Sequence, residues 1–378
     1  MGSLSFPRSA VRKTPVRQPR RSGSSSGRHH PRRPMPETLA DIGEFGLIDR
    51  IEALLQKEGG RPRELVIGMG DDCAAFRPRP GMDLLVTCDT MVEGRHYLSR
   101  HISALDLGRR AMTINISDIG AMGGTPVYAL VSLGLQSNTP AEDVDALYMG
   151  FLDALRPFQA VIMGGNITRS GGADFIDITL IGEIPSGTWV RRSTARPGDV
   201  ILVTGYPGEA AAGLQILLSD PSAPGLRDHP LVKAYITPSH RAIEGAAIAR
   251  SGLATAMIDI SDGLLGDLGH ICDQSRVGAR LHQKGLPLRP PLREAARQLE
   301  RDPIEFVLGS SDDYELIITC PPEKVEEIVS VVAASGPLPI TAIGEITPPS
   351  EGEGVISMTS PDGLVRKLGR SGWNHFYQ

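Results

Sequence analysis

Short apolar runs that stop at aspartates constrain this chain more than any other feature. Leu65-Val66-Ile67 leads into Gly70-Asp71-Asp72, and Leu84-Leu85-Val86 leads into Asp89-Thr90. Apolar runs of this length bounded by Gly or Pro read as buried strands. The pattern predicts two neighbouring strands that present Asp71, Asp72 and Asp89 close together at their ends. Like charges so placed repel one another unless cations sit among them. Oxygen-only ligands select Mg²⁺ or Ca²⁺ over zinc. Taken singly, each aspartate is more simply a turn cap facing water.

Further acidic residues strengthen the metal reading. Residues 103–121 have helical apolar spacing, with Leu107, Met112, Ile116 and Ile119 on one face, yet Asp118 falls among them. A carboxylate on an apolar face is costly unless paired or bound to metal, although backbone N–H groups could also satisfy it. A second cluster reads Ile258-Asp259-Ile260-Ser261-Asp262-Gly263, a strand end followed by a helix from Leu264 to Cys272. Ser261 is expected to N-cap that helix and Asp262 to favour its positive end, which leaves Asp259 free to join the other aspartates.

Other residues suit phosphate. The strand Ala160–Met163 runs into Gly164-Gly165-Asn166, where paired glycines in a turn would let backbone N–H groups approach an anion. Arg191-Arg192 can clamp phosphate oxygens or be solvated surface charges. His96 sits in a loop beyond Asp89, where a lone histidine is most often solvated. Trp373, near the end of a chain with only 4% aromatics, is suited to docking of the terminus or to stacking on a ligand. No GxxxxGK[ST] motif is present, so a Walker-type kinase is not supported.

The chain's 378 residues suit two domains, and 40% hydrophobic with 22% charged residues is ordinary for a soluble globular protein. Four cysteines without zinc spacing fit a reducing cytoplasm rather than a disulfide framework. No apolar run reaches the length of a membrane span. The formal charge of −5 hides an asymmetry: residues 1–34 hold nine Arg or Lys and no Asp or Glu, so the remainder is more acidic than the total. That body speaks against nucleic-acid binding. The basic tail should be disordered. It reads as a transit peptide, as a nucleic-acid or membrane-surface arm, or as a stretch preceding a natural start at Met35, and the last is the expectation adopted.

Together the motifs resemble the thiamine-monophosphate kinase family, within the superfamily that includes aminoimidazole ribonucleotide synthetase. The markers run from Gly43-Glu44-Phe45 through Gly70-Asp71-Asp72, Asp89-Thr90, Gly94-x-His96, Asn115-x-Ser117-Asp118, Gly164-Gly165, Arg192-Ser193 and Asp259-x-Ser261-Asp262-Gly263-Leu264 to Asp313-Tyr314-Glu315-Leu316. The resemblance implies an α/β fold of α+β type. A disordered tail (1–38) would precede an ATP- and Mg-binding α/β domain (39–188) and a second α/β domain (189–378). It implies ATP-dependent phosphorylation of thiamine monophosphate at several Mg²⁺ ions, in a cytoplasmic homodimer with no nucleic-acid or membrane partner. The matching metal positions are Asp72, Thr87, Cys88, Asp89, Asp118, Asn166, Asp259 and Asp262. The ATP positions are Gly165, Asn166, Arg192 and Ser261, and the substrate positions are His96, Asp312 and Trp373.

Three positions depart from the family pattern. Cys88 stands for Ser or Thr, so contact there would come from its backbone carbonyl. Asn166 stands for Asp, and Asp312 for Glu. The Asn166 and Asp312 departures keep open another ATP-using enzyme of the superfamily with a different acceptor; more remotely, the basic tail of residues 1–34 keeps open a non-catalytic regulator that binds nucleotide or thiamine diphosphate. If Asn166 serves a metal, Asn166→Asp should lower the Mg²⁺ concentration at half-maximal ATP turnover, and an unchanged Mg²⁺ titration would remove that role.

Overall fold

The computed structural model describes residues 36–60, 64–69, 72–221, 225–349 and 355–369. The basic tail of residues 1–34 and the expected substrate residue Trp373 lie outside them. The first half comprises α1 (Leu39–Glu58), β1 (Leu65–Ile67), β2 (Ala75–Phe76), β3 (Met82–Val92), α2 (Ala104–Ala121), β4 (Thr125–Leu135), α3 (Ala141–Leu155), β5 (Val161–Arg169) and β6 (Phe175–Pro185). Among the described residues β1 and β2 pair only with each other, and the larger sheet has the order β3-β6-β4-β5, with β4 and β5 parallel.

The second half runs β7 (Val200–Thr204), α4 (Glu209–Ser219), α5 (Pro230–Ile236), α6 (Ala242–Ser251), β8 (Ala256–Asp259), α7 (Leu264–Ser275), β9 (Gly278–His282), α8 (Pro290–Gln298) and α9 (Pro303–Leu308). It ends with β10 (Leu316–Cys320), α10 (Val325–Ser335), β11 (Ile340–Thr347), β12 (Ile356–Thr359) and β13 (Val365–Lys367). Its strands form one sheet, β13-β12-β9-β11-β7-β10-β8, antiparallel except where β12 meets β9. No helix among the described residues is long and apolar enough to cross a membrane.

Helix α2 is the element both halves share. Ser103 starts it, its hydroxyl accepting the Asp106 N–H at 3.1 Å. Met112, Ile116 and Ile119 face the inner side of the four-stranded sheet, against Leu133, Ile178 and Leu180, all buried. Each such side chain contributes about 1.5–3 kcal/mol on burial. On another side α2 meets α3 backbone to backbone: a Cβ on Gly108 would overlap the Leu147 carbonyl oxygen, and one on Gly150 the Leu105 carbonyl oxygen. Near its end, Gly120 lies against Ala242 of α6.

Three expectations are corrected. β1 and β3 belong to different sheets, so they are not neighbours, and β3 does not stop at Asp89 but continues to Val92. Its eleven residues pair continuously with β6, which carries the strand through the aspartate. Gly164 and Gly165 are not a turn: β5 passes through them. The parallel pairing with β4 shifts register there, and a Cβ on Gly165 would overlap the Val131 carbonyl oxygen, so close strand approach accounts for that glycine. The first helix begins at Leu39, where Asp41 accepts the Thr38 N–H at 2.8 Å; Gly43, at φ +69°, is a break inside it.

Gly150→Ala is expected to destabilise the protein by about 1–3 kcal/mol through overpacking of α2 on α3. A urea midpoint equal to wild type would show that the helices separate freely.

Candidate functional site

The two-residue period of β3 sorts its side chains. Leu84, Val86, Cys88 and Thr90 are exposed on one face, while Thr87 and Asp89 turn inward toward α2. From α2, Asp118 accepts the Thr87 hydroxyl at 2.5 Å and shares a hydrogen bond with Asp89. One residue earlier, the Ser117 hydroxyl donates to Asp259 at 2.5 Å. Asp259 ends β8, buried and opposite Leu316 of β10. Residues Ser117-Asp118 thus draw together carboxylates carried by two separate sheets.

These carboxylates are hard to ionise. Burial, then the charge of Asp118, pushes Asp89 up to about 7 and Asp259 up to about 8. Asp118 is also raised by burial, offset in part by the Thr87 hydrogen bond and by the positive charge of Arg192. Arg192, an exposed residue, is therefore the cation beside this cluster. Mutually repelling carboxylates beside a hydroxyl, Asp259 buried and Asp89 and Asp118 half-buried, form an all-oxygen donor set that suits a hard divalent cation.

The Asp259–Gly263 loop is fixed differently from expectation. Ser261 does not cap α7. The N-cap is Gly263, at φ +109°, and Asp267 accepts the N–H groups of Ser261, Asp262 and Gly263 at 3.1 Å each. A Cβ on Gly263 would overlap the Gly309 carbonyl oxygen. Asp267 is a residue that sequence reasoning missed; an aspartate in the first turn of an apolar helix was its only signal. Ligand atoms of Asp262, Asp267 and His270 lie within 4.8 Å of one another. Asp267 is committed to the loop and His270 is exposed, so capping accounts for that proximity.

In the segment before β10, most charges serve the scaffold. Asp313 accepts the N–H groups of Gly208 (2.6 Å) and Ala210 (3.0 Å), capping α4 from afar. Glu315 takes both Arg241 Nε (2.6 Å) and the Thr204 hydroxyl (2.6 Å). Between them Tyr314 is held at φ +54°, its N–H donating to Ile260 at 2.8 Å. A bulky residue in that conformation is strained. Asp312 pairs with Arg110 of α2 at 2.9 Å.

The remaining expected residues are more scattered. Asp72 is exposed in the loop between β1 and β2. The Cys88 thiol donates to Asp177 at 3.5 Å on the outer face, away from Asp89. Gly165 and Asn166 are exposed in β5, opposite Val131 and Ser132. His96 accepts the Val92 N–H on Nδ1 at 2.9 Å, so its neutral ring carries a proton on Nε2.

Two family models match the chain: AIR synthase related protein, N-terminal domain, over residues 70–184, and the C-terminal domain over residues 196–357. Thiamine-monophosphate kinase of Escherichia coli is 34% identical over 341 residues, covering 88% of this chain and 98% of that protein. The crystal structure of thiamine-monophosphate kinase from Stenotrophomonas maltophilia superposes with a TM-score of 0.72 at 30% identity, covering 85% of this chain and 97% of the other. A structure of AaThiL complexed with AMPPCP and TMP has a TM-score of 0.68 at 32% identity, covering 90% of this chain and 99% of that one.

Raised carboxylate pKa values mean that the folded protein holds protons the unfolded chain has lost. Their stabilising contribution is whole below the unfolded value of about 4 and is lost as pH rises through about 7 and about 8. Metal-free protein is expected to have a lower urea midpoint at about pH 8.5 than at about pH 6. Asp259→Asn, which can still accept from Ser117, should flatten part of that decline. An identical pH dependence in wild type and variant would contradict the burial of an ionisable Asp259.

Proposed function

The chain belongs to the thiamine-monophosphate kinase family, built on two AIR synthase-related domains, and from that premise we propose that it transfers the terminal phosphate of ATP to thiamine monophosphate, giving thiamine diphosphate. The observation that supports this reading is the gathering of Asp89, Asp118 and Asp259 around the Ser117-Asp118 corner of α2, with Arg192 alongside.

Mg²⁺ would be held by these three aspartates with Asp72 and Asp262, the Thr87 and Cys88 positions and the Asn166 carbonyl. Bound there, it supplies positive charge between two phosphate anions that otherwise repel each other. The protein's own groups have simpler tasks. Arg192, Ser261 and Gly165 with Asn166 line the donor nucleotide. His96, Asp312 and Trp373 match the family's substrate positions and are assigned to the acceptor, His96 and Trp373 on the side of its phosphate. No residue needs to remove a proton, because a phosphate monoester is already largely ionised near pH 7. On this reading transfer is direct and in line, without a phosphoenzyme. The boundary between domains falls at about residue 188, so both domains contribute to the site.

The open face of the four-stranded sheet supports a homodimer. Val86 is 65% exposed and Leu84 38% exposed there, and an exposed apolar sheet face is a natural contact for a second copy. Four free cysteines agree with a cytoplasmic setting.

ADP release measured with and without thiamine monophosphate, at several Mg²⁺ levels, tests the function. Release should depend on both, and release indifferent to thiamine monophosphate would reject the assigned acceptor. Asp89→Asn is expected to stay folded and lose roughly 10²–10³-fold in turnover, the usual scale for removing a group that stabilises transition-state charge. Normal turnover in that variant would remove Asp89 from the metal set.

A further inference from the structure

We propose that Arg79 and Glu183 are positioning residues for the metal site: their ion pair fixes the root of the β1–β2 hairpin and thereby the place of Asp72, which the hairpin's loop carries. This rests on the metal role proposed for Asp72 above and adds to it the residues that hold that aspartate in place.

Among the described residues the hairpin forms no ladder with another strand. Its two arms are tied at the root by the Arg77 N–H, which donates to the Glu64 carbonyl at 2.9 Å. Side chains dock it on the open face of the four-stranded sheet. Leu65 and Phe76 pack there with Tyr128, Val161 and Met163, and the ring centres of Phe76 and Tyr128 are 4.7 Å apart. The rest of β1 is bare: Val66 is 43% and Ile67 40% exposed.

Apolar contact has no direction, so packing by itself would let such a hairpin slide on the sheet. The contact that has direction is ionic. Just beyond β2, Arg79 Nε donates to the Glu183 carboxylate of β6. The Glu183 side chain is 1% exposed and that of Arg79 51%. A carboxylate buried against a half-hydrated cation is a poor source of stability, and an apolar residue would pack there at least as well. What the pair supplies is a fixed point, with the geometry of a charge-assisted bond. The Tyr128 hydroxyl is buried with no hydrogen-bond partner among the described residues. Burial, then the charges of Glu64 and Glu183, push its phenol up while Arg79 opposes them, so these groups meet at the hairpin's root.

Strand register shows why the root matters to Asp72. Glu183 stands opposite Leu84 of β3, and Ile181 stands opposite both Val86 of β3 and Tyr128 of β4. Arg79 and Phe76 thus mark successive levels on the way to Asp89, which stands opposite Ile178. From the level of Val86 to that of Asp89 the sheet rises about 10 Å. The chain from Phe76 back to Asp72 can span about 13 Å. The margin is about one residue, so a hairpin displaced by that much at its root would carry Asp72 out of reach of a cation shared with Asp89.

Arg79→Met alone would leave Glu183 a buried, unpaired charge, so it is combined with Glu183→Gln, which keeps the shape and removes the charge. Mn²⁺ binding is measured by calorimetry with a non-hydrolysable ATP analogue present, alongside the unfolding temperature. In this neutral pair the half-saturating Mn²⁺ concentration should rise roughly tenfold, the low end for losing a group that orients a metal ligand from behind. The unfolding temperature should stay near wild type. Asp72→Asn should weaken Mn²⁺ binding by itself, and adding the neutral pair to it should weaken binding no further, because Arg79 and Glu183 act through Asp72. Unchanged Mn²⁺ binding in the neutral pair, a loss that adds in full to that of Asp72→Asn, or a loss accompanied by a fall in unfolding temperature would overturn the inference. Wild-type Mn²⁺ binding in Asp72→Asn would overturn it together with the metal role of Asp72. A wild-type protein that binds Mn²⁺ in this way but does not phosphorylate thiamine monophosphate would overturn the assigned acceptor and leave this inference standing.

Discussion

Carboxylates withdrawn from water beside one another repel, and the placement of α2 answers that repulsion. Asp89 comes from the four-stranded sheet and Asp259 from the seven-stranded one. Neither sheet alone could bring them together. The helix inserts Ser117 and Asp118 between them, one bonding Asp259 and the other engaging Asp89 and Thr87. The resulting site is electrostatically incomplete by itself. Its unfavourable ionisation is the physical argument for the divalent cations proposed to bind there, and for the proposed chemistry between two anions.

The scaffold is built to keep α2 from moving. Glycines at Gly108 and Gly150 let two helix backbones touch, and Gly120 lets α2 sit against α6. Distant side chains fix the loops around the site: Asp267 ties down Ser261 to Gly263, Asp313 caps α4, and Glu315 binds Arg241. These acids sit beside residues assigned to chemistry and have a different task. Proximity in the chain to Asp262 or Asp312 says little about role, because hydrogen-bond partners decide it.

Much of the fold was legible where chain punctuation is strong. Helix 141–155 and strand 200–204 have the ends their flanking Pro140 and Gly205 suggest. Short elements opened by proline, α5 and α9, gave too little periodicity to read. Gly164 and Gly165 read as a turn because glycine usually breaks a strand, whereas here the backbone of a parallel neighbour requires glycine at 165. The aspartates were individually visible, but their meeting depends on contacts between residues 142 positions apart, which spacing cannot express and which only resemblance implied. Arg110 gave no signal at all: it follows Arg109, which makes ordinary surface ion pairs with Asp106 and Asp153.

The most direct measurement is an anomalous difference map from crystals grown with Mn²⁺ in place of Mg²⁺ and a non-hydrolysable ATP analogue. Metal density coordinated by Asp89, Asp118 and Asp259 together is the predicted result. Density confined to Asp262, Asp267 and His270, with those three carboxylates empty, would contradict it.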